Sequence, residues 1–244
     1  MDAEDEAERI LGELRAQADP VRADSEKRYL KSELAHIGVP VPVLRKIAVS
    51  AVRVLPARDE LLGLVDALWT ATDDGRPIHE ARMSAVEVLA KRVELLVPGD
   101  LAVVERLIRD SAGWVMVDQL ADRVVGRLIV RYPDLSAVLD AWVRDPDMWI
   151  RRTSLLALLP GVRAGTPDLD RLTRYGDILI GEKEFFIRKA LGWVLRELSK
   201  KDPAWVTAWV EAHMADVSGV TFREAVRRLP PPDADRLLTA YKAR

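Results

Sequence analysis

The sequence predicts an all-α fold, a stack of antiparallel helix pairs in one domain spanning residues 1–244. Two observations carry this. Apolar residues recur at helical spacing almost throughout, while period-two alternation is nearly absent. Bulky aromatic residues also repeat at a fixed interval: Trp114, Trp149, Phe186 and Phe222 stand 35, 37 and 36 residues apart. Three share a local text, Trp149-Ile-Arg-Arg-Thr, Phe186-Ile-Arg-Lys-Ala and Phe222-Arg-Glu-Ala. A mid-thirties period with two helices per unit is the mark of a helical solenoid. One such pair cannot bury its apolar face alone, so units stack and one helix from each lines a common surface.

Taken in order, residues 1–20 read as an acidic helix or tail. Lys27-Arg28-Tyr29-Leu30-Lys31 sets a tyrosine among cations, and Gly38-Val-Pro-Val-Pro-Val-Leu-Arg45 starts a new helix. Asp74-Gly75 is hairpin-like but lies between two helical patterns, so a loop is the simpler expectation and no β-sheet is anticipated. The helix opening at Trp114 has a core stripe of Val117, Leu120, Val124 and Leu128. Pro160–Pro167, with Gly161 and Gly165, reads as the loosest connection. The helix over about 184–201 buries Ile187, Leu191, Val194, Leu195 and Leu198 on one face. Prolines at 20, 42, 56, 77, 98, 133, 146, 167, 203 and 230 punctuate the pattern, several where a first helical turn tolerates them, as in Asp202-Pro203-Ala-Trp205.

Composition excludes several function classes. There is no Cys, hence no disulfide, no thiol nucleophile and no Cys-ligated metal. His36, His79 and His213 are scattered and do not suggest a zinc cluster, so no metal or other cofactor is expected. No run of about eighteen apolar residues is present to span a bilayer. The start, Met1-Asp2-Ala3-Glu4-Asp5-Glu6, is acidic where a secretion signal needs basic residues, and a cytoplasmic monomer is the expectation. The net charge is −2. Residues 1–26 carry nine acids and three bases, which leaves a mild positive excess on the rest and permits a basic groove.

The candidate site residues come from helix faces. On the 184–201 helix, Phe186, Lys189, Trp193, Arg196 and Lys200 fall opposite the core stripe. Such a strip either packs on a neighbouring repeat with solvated cations, or meets an anionic polymer, with cations on phosphate and rings on sugar or base. Trp114 and Asp118, four apart, stand one above the other. Asp118 is either a solvated acid or a carboxylate that stabilises a developing cation. Trp149 and Arg152 are neighbours three apart, and Arg152 is either a phosphate clamp or a surface ion-pair member. No phosphate-cradling Gly-rich loop, Gly-x-Ser-x-Gly elbow or His-Glu-x-x-His occurs.

At these residues the chain resembles the AlkD-like family of DNA alkylation repair glycosylases. The likeness runs from Tyr29 to about Arg228. It rests on Tyr29-Leu-Lys-Ser with Gly38-Val-Pro-Val-Pro, on Trp114-x-x-x-Asp118, on Trp149-Ile-Arg-Arg152, and on Lys183-Glu-Phe-Phe-Ile-Arg-Lys-Ala-Leu-Gly-Trp193. The resemblance implies a curved superhelical stack of HEAT-like pairs that holds duplex DNA in its concavity. It implies that Asp118, Trp114 and Trp193 form the catalytic set and that Arg152 faces DNA, with Tyr29, Arg45, Trp149, Lys189, Arg196 and Lys200 as further contacts. The implied activity is release of cationic N3- or N7-alkylated purines from double-stranded DNA without a pocket for a flipped base. Two alternatives stand beside it: a specialist for bulky natural-product adducts, and a non-catalytic scaffold for protein partners.

Overall fold

The computed structural model describes residues 2–53, 57–111 and 113–244; Met1 and Pro56, quoted above, lie outside them. The described residues form two compact units that meet in sequence at Leu120 and Ala121.

In the first unit the helices are α1 (Ala3–Arg15), α2 (Pro20–Leu30), α3 (Val41–Ala51), α4 (Arg58–Thr70), α5 (His79–Lys91), α6 (Leu101–Arg109) and α7 (Trp114–Leu120). The acidic N-terminus is a packed helix, not a tail: Asp2 accepts from the Glu4 N–H as its cap, and Ala7, Ile10 and Leu14 are buried. Asp19 caps α2 by accepting from the Val21 and Arg22 N–H groups, with Pro20 in the first turn where a missing N–H costs nothing. Helix α5 is the centre of this unit. It packs against α3, α4 and α7, and every residue from His79 to Ala90 is buried, including Glu80, Arg82 and Glu87.

Asp74-Gly75 departs from the expected loop. Two-residue strands, β1 (Thr72–Asp73) and β2 (Arg76–Pro77), pair antiparallel across it. Both turn residues take positive φ, 48° at Asp74 and 73° at Gly75. That is the backbone a two-residue hairpin demands and that Asp-Gly supplies at little cost. The hairpin delivers Ile78 beside Ala35, where the Ala35 N–H donates to Pro77 and the His79 N–H donates to Ala35.

The second unit begins with a π-helical turn over Ala121–Val125, followed by α8 (Gly126–Arg131), α9 (Ser136–Trp142), α10 (Met148–Leu156) and α11 (Leu159–Ala164). Then come α12 (Leu169–Leu179), α13 (Phe185–Leu198), α14 (Pro203–Ala212), α15 (Gly219–Ala225) and α16 (Pro231–Ala243). Helix α13 is its centre, packed on α10, α11, α12, α14 and α15. The stripe Ile187, Leu191, Val194, Leu195 and Leu198 is fully buried, as its spacing predicts. So is the stripe Val117, Leu120, Val124 and Leu128. Pro160–Pro167 is a correction: most of it is α11, with Pro160 in its first turn and Gly165 left-handed at φ 83° as its stop. Those two residues are helix start and stop signals, not the marks of a slack linker.

The repeated aromatics sit in corresponding places. Trp114 begins α7, Trp149 and Phe186 are second in α10 and α13, and Phe222 is fourth in α15. The described residues are thus all-α apart from one short hairpin. Among them, no helix is long and apolar enough to cross a membrane.

Candidate functional site

In the first unit, Trp114 and Asp118 lie one turn apart on α7. Asp118 is only 8 % exposed, which sets aside the solvated-acid reading: a carboxylate kept from water is held by the fold. Trp114 is half-buried, and its turn lines a cavity of about 20 Å³ together with Ser32, Leu34 and His79. That space suits about one water.

The approach to α7 is fixed by a clamp that sequence reasoning missed. The Trp69 indole N–H donates to Asp110 Oδ2 at 2.7 Å. The Arg82 guanidinium donates to the same oxygen at 2.8 Å and to the Asp110 carbonyl at 2.9 Å. It also lies 4.8 Å from the Trp69 ring centroid, a cation–π distance. Burial lowers the pKa of Arg82, and Asp110 opposes that shift. Nothing local signals the clamp, because Asp110 is 41 residues from Trp69 and 28 from Arg82.

Tyr29 stands 76 % exposed near the end of α2. Arg45 reaches Glu87 at 2.9 Å, and this bond raises its pKa, so its charge is already partnered. Between these elements Glu80 binds a stretch of free backbone. Its carboxylate accepts from the N–H groups of Ile37 at 2.9 Å, Gly38 at 2.6 Å and Val39 at 3.3 Å. Gly38 has φ +88°, and a Cβ there would sit 2.1 Å from the Asp19 carbonyl oxygen, so only glycine fits.

In the second unit Arg152 does not stand on the surface: it is 2 % exposed and donates to the Phe186 carbonyl. Its guanidinium lies 5.7 Å from the Phe186 ring, which packs against Trp149 at 5.2 Å between centroids. The repeat aromatics thus join α10 to α13, and Arg152 is held among them.

The far face of α13 carries the expected strip, with Phe186, Lys189, Trp193 and Arg196 half-buried and Lys200 exposed. Its cations are partnered, which spacing did not reveal. Lys189 and Arg196 both pair with Glu224 of α15, and Lys200 pairs with Glu197 one turn back. Burial pushes the Glu224 carboxyl up, but Lys189, Arg196 and Arg227 outweigh it and hold the pKa below its ordinary value. The close approach of α13 and α15 passes through Gly192, where a Cβ would lie 2.7 Å from the Glu224 Cβ.

A family model described as DNA alkylation repair enzyme matches residues 10–229. No curated protein sequence matches the chain. Among solved structures, one from Enterococcus faecalis, titled a predicted DNA alkylation repair enzyme, is 21 % identical with a TM-score of 0.77. It spans 88 % of this chain and 98 % of its own. AlkD2 of Streptococcus mutans is 15 % identical with a TM-score of 0.60, covering 85 % of this chain and 99 % of that one. A second Streptococcus mutans structure, smu.31 of strain UA159, is 16 % identical with a TM-score of 0.58 over 78 % of this chain and 93 % of that one. At such identities these likenesses speak to fold alone. The family match spans most of the chain, and with it the residues carrying Tyr29, Trp114, Asp118, Arg152 and Trp193: the chain belongs to the DNA alkylation repair enzyme family.

Proposed function

We propose that the chain is a DNA glycosylase that hydrolyses the N-glycosidic bond of cationic N3- and N7-alkylated purines in duplex DNA, acting as a monomer in the cytoplasm. The observation that carries this reading is Asp118: a carboxylate withdrawn from solvent, one helical turn from the Trp114 indole, in a chain of the alkylation repair family.

Alkylation at N3 or N7 makes the purine positive and a ready leaving group. When the bond from C1′ to the base nitrogen breaks, its electron pair leaves with the base and neutralises it. Positive charge passes to the sugar, which becomes oxocarbenium-like. A fixed carboxylate stabilises that charge better than the mobile dipoles of water. Water then adds to C1′ and gives up a proton, with Asp118 as the acceptor within reach. Trp114 presents a π-face to the cationic nucleotide, and the family likeness assigns the same part to Trp193. No general acid is required, because the departing base needs no proton.

DNA contact falls to Tyr29 and Arg45 in the first unit, and to Trp149, Lys189, Arg196 and Lys200 in the second. Arg152, being buried, serves by holding Phe186 and Trp149 in place. Lys189 and Arg196 must exchange Glu224 for phosphate. Glu224→Gln removes that competitor and therefore raises DNA affinity severalfold, while the slope of log affinity against log salt stays near the parent's, since the same number of phosphates is neutralised. Parental affinity in the Glu224→Gln protein removes these two residues from the interface.

The test of the activity is base release from alkylated duplex DNA, read by mass spectrometry. N7-methylguanine and a bulkier cationic N3 or N7 adduct are both released, since charge and not size drives departure. Hypoxanthine and uracil stay in place. Efficient uracil release contradicts the mechanism, because a neutral leaving group needs activation that Asp118 does not provide.

A further inference from the structure

His36 and His79, scattered in sequence, meet in the fold. Their rings stack 4.4 Å apart at 13°. His36 lies between α2 and the Glu80-bound backbone of residues 37–39. Both of its ring nitrogens are sealed from solvent, and neither has a hydrogen-bond partner. A neutral imidazole carries one donor and one acceptor, so two polar groups are buried here without a partner, which is unfavourable. Burial holds the His36 pKa below its ordinary value, with Lys27 adding to the shift and Glu80 opposing it.

The surroundings supply what an ion needs. One donor atom each from Glu26, His36 and Glu80 lie within 4.8 Å of one another. Glu80 is 1 % exposed, and its Oε2 accepts only the Ile37 N–H, so a lone pair remains. Arg22 engages Oε1 of Glu26, which leaves Oε2 to turn inward from a partly exposed helical position. The donors come from three elements: α2, the segment before α3, and the first turn of α5. That is the arrangement of a staple rather than of a chance surface cluster.

We propose that Glu26, His36 and Glu80 form a binding site for one divalent transition-metal ion of the zinc type. One imidazole nitrogen with two carboxylate oxygens suits zinc over magnesium or calcium, which take oxygen alone. Tetrahedral zinc holds its donors about 3.3 Å apart, given bonds near 2.0–2.1 Å. Closing from 4.8 Å draws the Glu26 carboxylate, on the partly exposed side of the cluster, toward His36 and Glu80. The bound ion would occupy an orphaned imidazole nitrogen and offset the buried charge of Glu80. It would also fasten α2, which bears Tyr29, to the segment that opens α3, which bears Arg45. This site is separate from Asp118 and does not depend on the glycosylase reading.

The experiment is zinc titration of chelator-stripped full-length protein, followed by competition with a chromophoric chelator and by thermal melting. One zinc per chain binds at micromolar or tighter affinity and raises Tm. Glu26→Gln and His36→Gln each weaken binding at least tenfold, while the metal-free circular dichroism stays that of the parent. X-ray absorption of the zinc-loaded parent shows nitrogen from one imidazole with oxygen donors near 2.0–2.2 Å. Absence of stoichiometric binding overturns the proposal, as does an all-oxygen shell or parental affinity in the Glu26→Gln protein. Should His36→Gln fail to fold, Glu26→Gln and the parent's absorption spectrum decide.

Discussion

Asp118→Asn should bind alkylated DNA as well as the parent, or slightly better, and release N7-methylguanine at least about a hundredfold more slowly. The substitution keeps the size of the side chain and most of its hydrogen-bonding capacity, and removes only charge. That charge matters little in the ground state, where the positive charge sits on the base. It matters most as the charge passes to the sugar. Losing one preorganised electrostatic partner at that moment costs on the order of 3 kcal/mol. Affinity holds because a carboxylate near phosphates repels them. Single-turnover release measured beside binding distinguishes this from a fold defect: a variant that cleaves at the parent rate takes Asp118 out of the mechanism.

The second large effect is on stability. Asp110→Ala should cost about 1–3 kcal/mol: the Asp110 carboxylate is itself 54 % exposed, so the loss is that of leaving the buried Arg82 and indole donors without their acceptor. Arg82 is the partner that stays, with its side chain 7 % exposed and wedged against the Trp69 ring. The Trp69 N–H also loses its acceptor. Because Asp110 lies four residues before Trp114, the folded fraction should also release base more slowly than its concentration predicts. Asp110→Asn, which retains an acceptor for the indole, should fall between. Urea denaturation checks the order of the three proteins. A loss below about 1 kcal/mol for the alanine variant would mean that the clamp is relaxed in solution.

How much of this was legible in the sequence depended on the distance over which a signal acts. Core stripes such as Ile187 to Leu198 were readable because one helix carries its own periodicity. The Trp114 repeat was readable because the second half of the chain keeps a spacing in the mid-thirties. Polar pairs there follow it, as in Asp140 with Tyr175 and Lys189 with Glu224, each 35 apart. The first half runs on a longer step. Arg45 with Glu87 and Arg58 with Asp100 are 42 apart, and Trp69 with Asp110 is 41. A search tuned to one period loses the other. The cations of the α13 strip were placed correctly on their face. Their partners lie on another helix, and spacing along α13 carries no information about α15. Arg152 misled for a related reason: nothing in its own turn says that the Phe186 carbonyl, 34 residues on, will cover it. Asp74-Gly75 reads as a loop because it lies between two helical patterns; its strands are two residues long, too short for alternation to register, although the dipeptide alone carries the turn.

The carboxylate of Glu80 gives one stretch of irregular backbone an unusual relation to time. Segments without a ladder of their own normally trade their amide protons for deuterium almost as fast as an unfolded chain. The amides of Ile37, Gly38 and Val39 end instead on a side chain rooted in α5, the most deeply buried helix of its unit. They open only when α5 lets Glu80 go. Their exchange clock should therefore run with that of the core helix, orders of magnitude slower than that of the neighbouring Glu33. A short connecting segment would then keep the memory of the whole unit's fold.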